Sequence, residues 1–289
     1  MAIEGTVEIP SVDYVIWHST SAEGEKYGPR FKDQTEIQQC IVKIAKCWCS
    51  YLEDFVQGTG KLFKMPELPW DQSERVIVST LAGAISRSFK ESLVIEELPV
   101  SKPSNLRIKK STDRGRCDLW ASIPELKVGN QQLSFYLEAK KAITAKTHLN
   151  ADTYLKTDRG IGRIFRDYLK SVSGDSGKIR TLSPYRNLEN RKKLNHYVVG
   201  MLVMPLKSWE PNSEEAFPLV EILEMLKNNF EGHAKLKGVS EGEGAIRARR
   251  LKRHPTVGLI VFPTNRNTGM IATFTVLAAT RGLLERQSA

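Results

Sequence analysis

Three strand-like segments follow one another in this chain, and a helical pattern stands on either side of them. The segments are residues 93–100, 116–123 and 133–141. Each is rich in apolar, β-branched or aromatic side chains and is bounded by turn residues. Apolar side chains recur at helical spacing over about 72–90, with Ser73 as N-cap, and a further helix is predicted over about 148–171. This order favours a β-sheet flanked by helices.

The rest of the chain extends the same alternation. A long helix is predicted over 33–57, ended by Gly58 and Gly60. Residues 1–30 are predicted to be irregular, apart from the strand-like Val15-Ile16-Trp17. Further strands are predicted at 196–206, 256–263 and 270–279, and a further helix at about 214–230. The predicted fold class is therefore α/β, with a central mixed sheet flanked by helices. Residues 1–70 would form an N-terminal helical extension packed on a domain of residues 71–289.

Bulk composition excludes few classes of protein. The 289 residues are 40% apolar and 26% charged, which is ordinary for a globular protein with a sizeable core. No apolar run approaches the roughly 20 residues of a membrane helix, and the N-terminus has no signal-peptide pattern, so a cytoplasmic protein without a membrane partner is expected. The four cysteines are Cys40, Cys47, Cys49 and Cys117. No CxxC pair or histidine cluster accompanies them, which favours reduced, partly buried thiols.

Positive charge is concentrated in three segments. Residues 101–116, 178–193 and 235–253 each carry a net charge of +5, although the whole chain is only +10. The predicted helix at 148–171 also presents a basic face. Basic patches of this kind typically contact phosphate backbones, but solvated surface loops would give the same pattern.

The strand at 133–141 carries the residues that most suggest chemistry. Side chains alternate between the two faces of a strand, so Glu138 and Lys140 point the same way. Asp118 lies on the preceding strand and can approach Glu138 across a hairpin. Two carboxylates and a lysine suit metal-assisted phosphodiester hydrolysis. The carboxylates would hold a hard cation, and the lysine would orient a water or stabilise developing negative charge.

These residues resemble the motif of the PD-(D/E)xK nuclease superfamily. The matching residues are Asp118 in RCDLW and Glu138-Ala139-Lys140 in FYLEAKK, within the helix–strand–strand–strand–helix order. The resemblance covers about residues 72–206 and implies a restriction-endonuclease-like core. It further implies that Asp118 and Glu138 bind Mg²⁺ (or Mn²⁺) and that Lys140 assists the attacking water. Cys117 stands where the motif has its proline.

The resemblance also implies an auxiliary glutamate from the preceding helix. Glu74 is the nearest match, as a catalytic and metal-binding residue, and Glu91 and Glu97 are weaker ones. Glu74 could equally be an acidic residue favoured at a helix N-terminus by the helix dipole.

The expected function is a Mg²⁺-dependent deoxyribonuclease that cuts within DNA, and the resemblance implies a setting in restriction or another defence against foreign DNA. Residues expected to contact the nucleic acid are Lys109, Lys110, Arg114, Arg116, Lys156, Arg159 and Arg163. The alternatives are a non-catalytic DNA-binding or assembly subunit of the same fold and an RNA-processing nuclease. The sequence leaves a homodimer open.

Overall fold

A computed structural model describes residues 12–18, 34–63, 68–101, 114–141, 194–207, 254–263 and 268–279. Its helices are α1 (Gln34–Phe63) and α2 (Glu74–Ser88), and a short 3-10 turn lies at Pro69–Asp71. Its strands are β1 (Val12–His18), β2 (Leu93–Ser101), β3 (Arg114–Val128), β4 (Gln131–Lys141), β5 (Leu194–Lys207), β6 (Thr256–Pro263) and β7 (Thr268–Ala279).

All seven described strands form one sheet in the order β1-β6-β7-β5-β4-β3-β2. Neighbouring strands are antiparallel except β4 and β5, which are parallel. The predicted α/β class with a central mixed sheet is confirmed. A parallel pair needs a crossover of a dozen or more residues, and residues 142–193 supply its length. The helices predicted over 148–171 and 214–230 lie outside the described residues.

The two helices pack against the sheet through one continuous hydrophobic core. Apolar side chains of α1 recur every three or four residues and are buried, as the helical pattern predicts. Trp48 is fully buried at the centre of this face. Its indole Nε1 donates a hydrogen bond of 2.9 Å to Thr80 Oγ1 of α2, and its ring meets Phe274 of β7 edge to face at 5.9 Å. This one side chain thus ties both helices to the sheet.

The end of α1 differs from the prediction. The helix runs through Gly58 and Gly60 to Phe63 instead of ending at the glycines. Each glycine costs a helix about 1 kcal/mol relative to alanine, which tertiary packing readily offsets. Gly60 is itself buried, and Thr59 Oγ1 donates to the carbonyl of Phe55 at 2.9 Å. The prediction treated glycine as a stop signal, whereas packing at Val56 and Gly60 can offset the cost of the two glycines.

The N-terminal segment also differs from the prediction. Val15-Ile16-Trp17 lies within a regular strand, β1, which pairs antiparallel with β6 at one edge of the sheet. Residues 12–18, which precede α1, are therefore part of the sheet, although the proposed boundary at residue 70 stays a prediction. Isolated edge strands are hard to see in a sequence because only one side of their backbone is paired.

Strand β4 is an interior strand of the sheet, between β3 and β5, and is buried on both faces over most of its length. Its residues 133–139 are all buried. As the alternation predicts, Leu133, Phe135, Leu137 and Ala139 belong to the core beneath the helices. Tyr136 lies on the opposite face, against Trp120 and Cys117. Any charged residue on β4 is consequently held close to apolar surroundings.

Cysteine burial agrees with the prediction of buried thiols. Cys40, Cys49 and Cys117 are buried, Cys47 is half-buried, and all four are free. Among the described residues, no helix has the length and apolar character needed to cross a membrane.

Candidate active site

Strands β3 and β4 separate at one end of their hairpin. Their ladder ends at the pair Leu119 and Leu137. Beyond it, the paired neighbour of β3 is β2, and that of β4 is β5. We call the opening between residues 114–118 of β3 and 138–141 of β4 the fork. The residues predicted for catalysis lie at this fork.

Two carboxylates replace the missing main-chain partners on the fork side of β4. Main-chain N–H groups two residues apart point to the same edge of a strand. The N–H of Ala139 donates to Asp118 Oδ2 at 2.7 Å, and the N–H of Lys141 donates to Glu74 Oε2 at 2.7 Å. Asp118 from β3 and Glu74 from the first turn of α2 therefore hold the amides on either side of Lys140.

Lys140 lies between these two anchored amides, and Glu138 directly precedes the first of them. The Glu138 side chain is only 2% exposed, whereas Lys140 is half-buried. Ionised carboxylates are rarely buried so completely without a specific role or partner. Lys141, on the other face, donates through its Nζ to the carbonyl of Gln72 and so ties β4 to the start of α2.

The pKa of the Glu74 carboxyl is shifted by its burial and by the nearby Lys140 and Asp118. Burial raises the pKa of the Glu74 carboxyl above its ordinary value, and the nearby Asp118 raises it further. The hydrogen bond from the Lys141 amide and the charge of Lys140 lower that pKa, but the pKa remains raised, with burial the largest single cause. The ionic form of Glu74 is thus disfavoured, and a bound cation would favour it.

Cys117 closes the inner end of the fork. Its thiol is buried and contacts the carbonyl oxygens of Leu119 at 3.1 Å and Leu137 at 3.2 Å as a hydrogen-bond donor. Burial, and then the charge of Glu138, raise the pKa of this thiol to about 12. Cys117 therefore stays a neutral thiol whose single proton can be shared between two carbonyls where the ladder ends.

The proposed metal ligands do not form a complete cage by themselves. Among the described residues, no three His, Cys, Asp or Glu side chains come close enough together to hold an ion. Asp118, Glu138 and Glu74 are thus not assembled as a three-ligand set. Their oxygen chemistry fits Mg²⁺, which proteins often bind through one or two carboxylates with waters completing the shell.

The structure separates the three glutamates considered for the auxiliary role. Glu74 lies at the fork, whereas Glu91 is exposed in the turn after α2, where its N–H donates to Glu125 Oε1 at 3.0 Å. Glu97, on β2, pairs with Arg75 and Arg116. Those two arginines lower the pKa of the Glu97 carboxyl, Arg116 having the larger effect.

Few of the residues expected to contact nucleic acid can be placed. Arg116 is 68% exposed at the fork end of β3. Arg114 is the first residue of β3, where its backbone pairs with Ser101. The remaining ones, Lys109, Lys110, Lys156, Arg159 and Arg163, lie outside the described residues.

Sequence reasoning missed the parts of this site that depend on the backbone. The amides of Ala139 and Lys141 carry no residue-specific signal, so their role as anchors could not be predicted. The sequence did contain one hint that Arg75 lies near the site, because Arg75 directly follows Glu74. The pairing of Arg75 with Glu97 spans 22 residues and depends on how α2 lies against β2.

The fork therefore defines an acidic site with an adjacent lysine at a break in a mixed sheet. Comparisons of the chain with protein-family models, curated proteins and solved structures found no match. Its function has to be argued from the fork itself.

Proposed function

We propose that this protein is a metal-dependent nuclease that cleaves phosphodiester bonds within DNA at the fork. One observation carries the proposal. Asp118 and Glu74 accept hydrogen bonds from the amides on either side of Lys140, so two carboxylates and a lysine converge on one strand end. Both carboxylates are half-buried, and neighbouring carboxylates removed from water repel each other unless a cation or a proton balances their charge.

Each residue has a distinct role in the proposed site. Asp118 and Glu138 would hold Mg²⁺ or Mn²⁺, with Glu74 as an auxiliary acid. The bound cation would supply charge stabilisation for the transition state and would acidify a water. Lys140 would orient the attacking water and stabilise negative charge on the phosphate. The hydrogen bonds to β4 fix Asp118 and Glu74 in place, which favours catalysis by reducing reorganisation.

The topology supports the same proposal. Helix α2 is followed by the antiparallel strands β2, β3 and β4, and β4 then pairs in parallel with β5. This agrees with the helix–strand–strand–strand order in which the resemblance to PD-(D/E)xK nucleases was found. We therefore propose a restriction-endonuclease-like core around the fork. The net charge of +10 and the three basic segments favour a nucleic-acid substrate.

A cleavage assay tests the proposal directly. The protein is incubated with supercoiled plasmid DNA and with single-stranded RNA in Mg²⁺, Mn²⁺ or EDTA. We expect nicking or linearisation of the plasmid with either cation and none in EDTA. Lys140→Ala and Asp118→Asn should each slow cleavage by about 100-fold or more. Asparagine keeps an oxygen that can accept the Ala139 hydrogen bond, so the fold is preserved.

Matched controls come from the far end of the same hairpin. Lys127 and Glu125 are exposed residues of β3, remote from the fork. Lys127→Ala and Glu125→Gln should cleave at the wild-type rate. Cleavage that survives both fork substitutions would remove the proposed centre. DNA binding without cleavage would favour a non-catalytic module, and cleavage of RNA alone would change the substrate.

A further inference from the structure

We propose that Arg75 and Arg116, held together by Glu97, form a clamp that binds a backbone phosphate of the nucleic acid beside the fork. The clamp comprises these three residues, from α2, β3 and β2. Arg75 Nη2 donates to Glu97 Oε1, and Arg116 Nη1 donates to Glu97 Oε2. One carboxylate thus holds two guanidinium groups from two different elements.

Both arginines keep most of their hydrogen-bonding capacity. A guanidinium carries five N–H donors in a planar fork geometry, and the bond to Glu97 uses only part of them. The side chains of Arg75 and Arg116 are 72% and 68% exposed, against 35% for Glu97. Two exposed guanidiniums beside one carboxylate leave a net positive charge, which suits a phosphate that can be contacted from two sides.

Stability alone gives a poor account of this cluster. Ion pairs between exposed side chains contribute little, because water screens them. Glu97 also has a positive backbone φ of 53°, and among the described residues no other non-glycine residue does. This conformation is unfavourable for a residue with a Cβ, and such strain is typical of functional sites. The neighbouring carboxylate on β2, that of Glu96, accepts a hydrogen bond of 2.5 Å from Ser79 Oγ instead.

The clamp lies beside the proposed catalytic residues. Arg75 directly follows Glu74 in α2, and Arg116 precedes Asp118 by two residues in β3. On β2, Glu96 pairs with Leu119 of β3 and Leu98 pairs with Cys117. Glu97 lies between these two pairs and is therefore next to Asp118. A strand of nucleic acid with one phosphate at the fork would bring a neighbouring phosphate to the clamp.

Binding measured without cleavage separates this inference, which rests on the proposed nucleic-acid substrate, from the proposed chemistry. A fluorescent DNA duplex is titrated with the protein in EDTA at several KCl concentrations, with fluorescence anisotropy as the readout. Arg75→Ala and Arg116→Ala should each raise Kd several-fold. Each should also reduce the slope of log affinity against log salt concentration, and the two substitutions together should reduce it by about one unit, because the clamp contacts one phosphate.

The chain contains a matched control at the other end of α2. Arg87 is 63% exposed and pairs with Asp54, so it is an exposed arginine in an ion pair that lies away from the fork. Arg87→Ala should leave the salt slope unchanged. Wild-type slopes in both clamp variants, or an equal loss in the Arg87 variant, would overturn the clamp. Failure to cleave DNA in Mg²⁺, with these slopes as expected, would refute the nuclease proposal alone.

A competition arm distinguishes a backbone phosphate from a free one. Inorganic phosphate at matched ionic strength should displace the duplex no more than chloride does. Stronger displacement by phosphate that disappears in the Arg75 and Arg116 variants would show a site for a free anion and would overturn the backbone assignment.

Discussion

At the scale of single residues, the fork concentrates groups whose ionisation opposes folding. Glu74 is half-buried, and burial together with the charge of Asp118 raises the pKa of its carboxyl. In the unfolded chain the same carboxyl is in water, where it ionises at its ordinary pKa. Such a residue destabilises the metal-free protein at neutral pH, and active sites commonly show this trade between stability and function.

Glu74→Gln should therefore stabilise the metal-free protein at neutral pH. Since the folded pKa is raised, the folded state binds more protons than the unfolded state between the two pKa values. The favourable contribution of Glu74 is present below the unfolded pKa and is lost as pH rises through the folded pKa. The stability gain of the variant should thus be largest near pH 7.5 and shrink towards pH 4, as measured by urea unfolding in EDTA.

Glu125→Gln is the matched control for this measurement. Glu125 also accepts a main-chain N–H, from Glu91 at 3.0 Å, but it is exposed. Its substitution should give no comparable gain at neutral pH. A Glu74→Gln variant that is less stable than wild type at pH 7.5, or whose gain grows in acid, would contradict the assigned role of burial.

At the scale of elements, the edge strand β1 depends on one glycine of its neighbour. Trp17 is the cross-strand partner of Gly258 on β6, and its side chain is only 7% exposed. A Cβ placed on Gly258 would lie 1.9 Å from the Trp17 ring. The indole therefore lies directly over the backbone of β6, where only glycine leaves room for it.

Gly258→Ala should destabilise the protein by displacing Trp17. The expected loss is about 3 kcal/mol, the scale of removing a large buried aromatic side chain. In a Trp17→Ala background the same substitution should cost much less, because the clash is gone. Urea unfolding of the four proteins in this cycle measures the coupling between the two positions.

Gly58→Ala is the glycine control for that cycle. A Cβ on Gly58, within α1, would meet nothing within 4 Å. Its substitution should stabilise the protein by roughly 0.5–1 kcal/mol through helix propensity. Equal effects of the Gly258 substitution with and without Trp17 would refute the packing account.

At the scale of the whole molecule, the fork exists only when the helix layer and the sheet are assembled together. Glu74 comes from α2, Asp118 from β3 and Lys140 from β4, and each is fixed by a hydrogen bond or charge from another element. The site is therefore absent from the unfolded chain. A cation that binds the fork must stabilise the folded state by mass action.

Thermal melting should accordingly respond to Mg²⁺. At a concentration about ten times Kd, binding adds roughly 1.4 kcal/mol, which corresponds to a rise in Tm of a few degrees. Asp118→Asn should abolish most of this rise, whereas Lys127→Ala should retain it. The comparison uses NaCl at matched ionic strength. An equal rise in the Asp118 variant and in wild type would place the cation elsewhere.

The sequence by itself determined the local features, because they follow from short-range periodicity. Alternation along β4 was enough to put Glu138 and Lys140 on one face and four apolar residues in the core. Helical spacing identified α1 and α2, and the order of elements indicated the mixed sheet. The end of α1 predicted from Gly58 and Gly60 was wrong, because the low helix propensity of glycine costs only about 1 kcal/mol, which packing can outweigh.

The tertiary structure decided what depends on long-range contacts. Hairpin register brings Asp118 to the Ala139 amide, and the docking of α2 brings Glu74 to the Lys141 amide. The breaking of the β3–β4 ladder, which frees two amides to hold carboxylates, has no signature in the residue types. Such features arise from how strands diverge and helices dock, and these are set by the whole core.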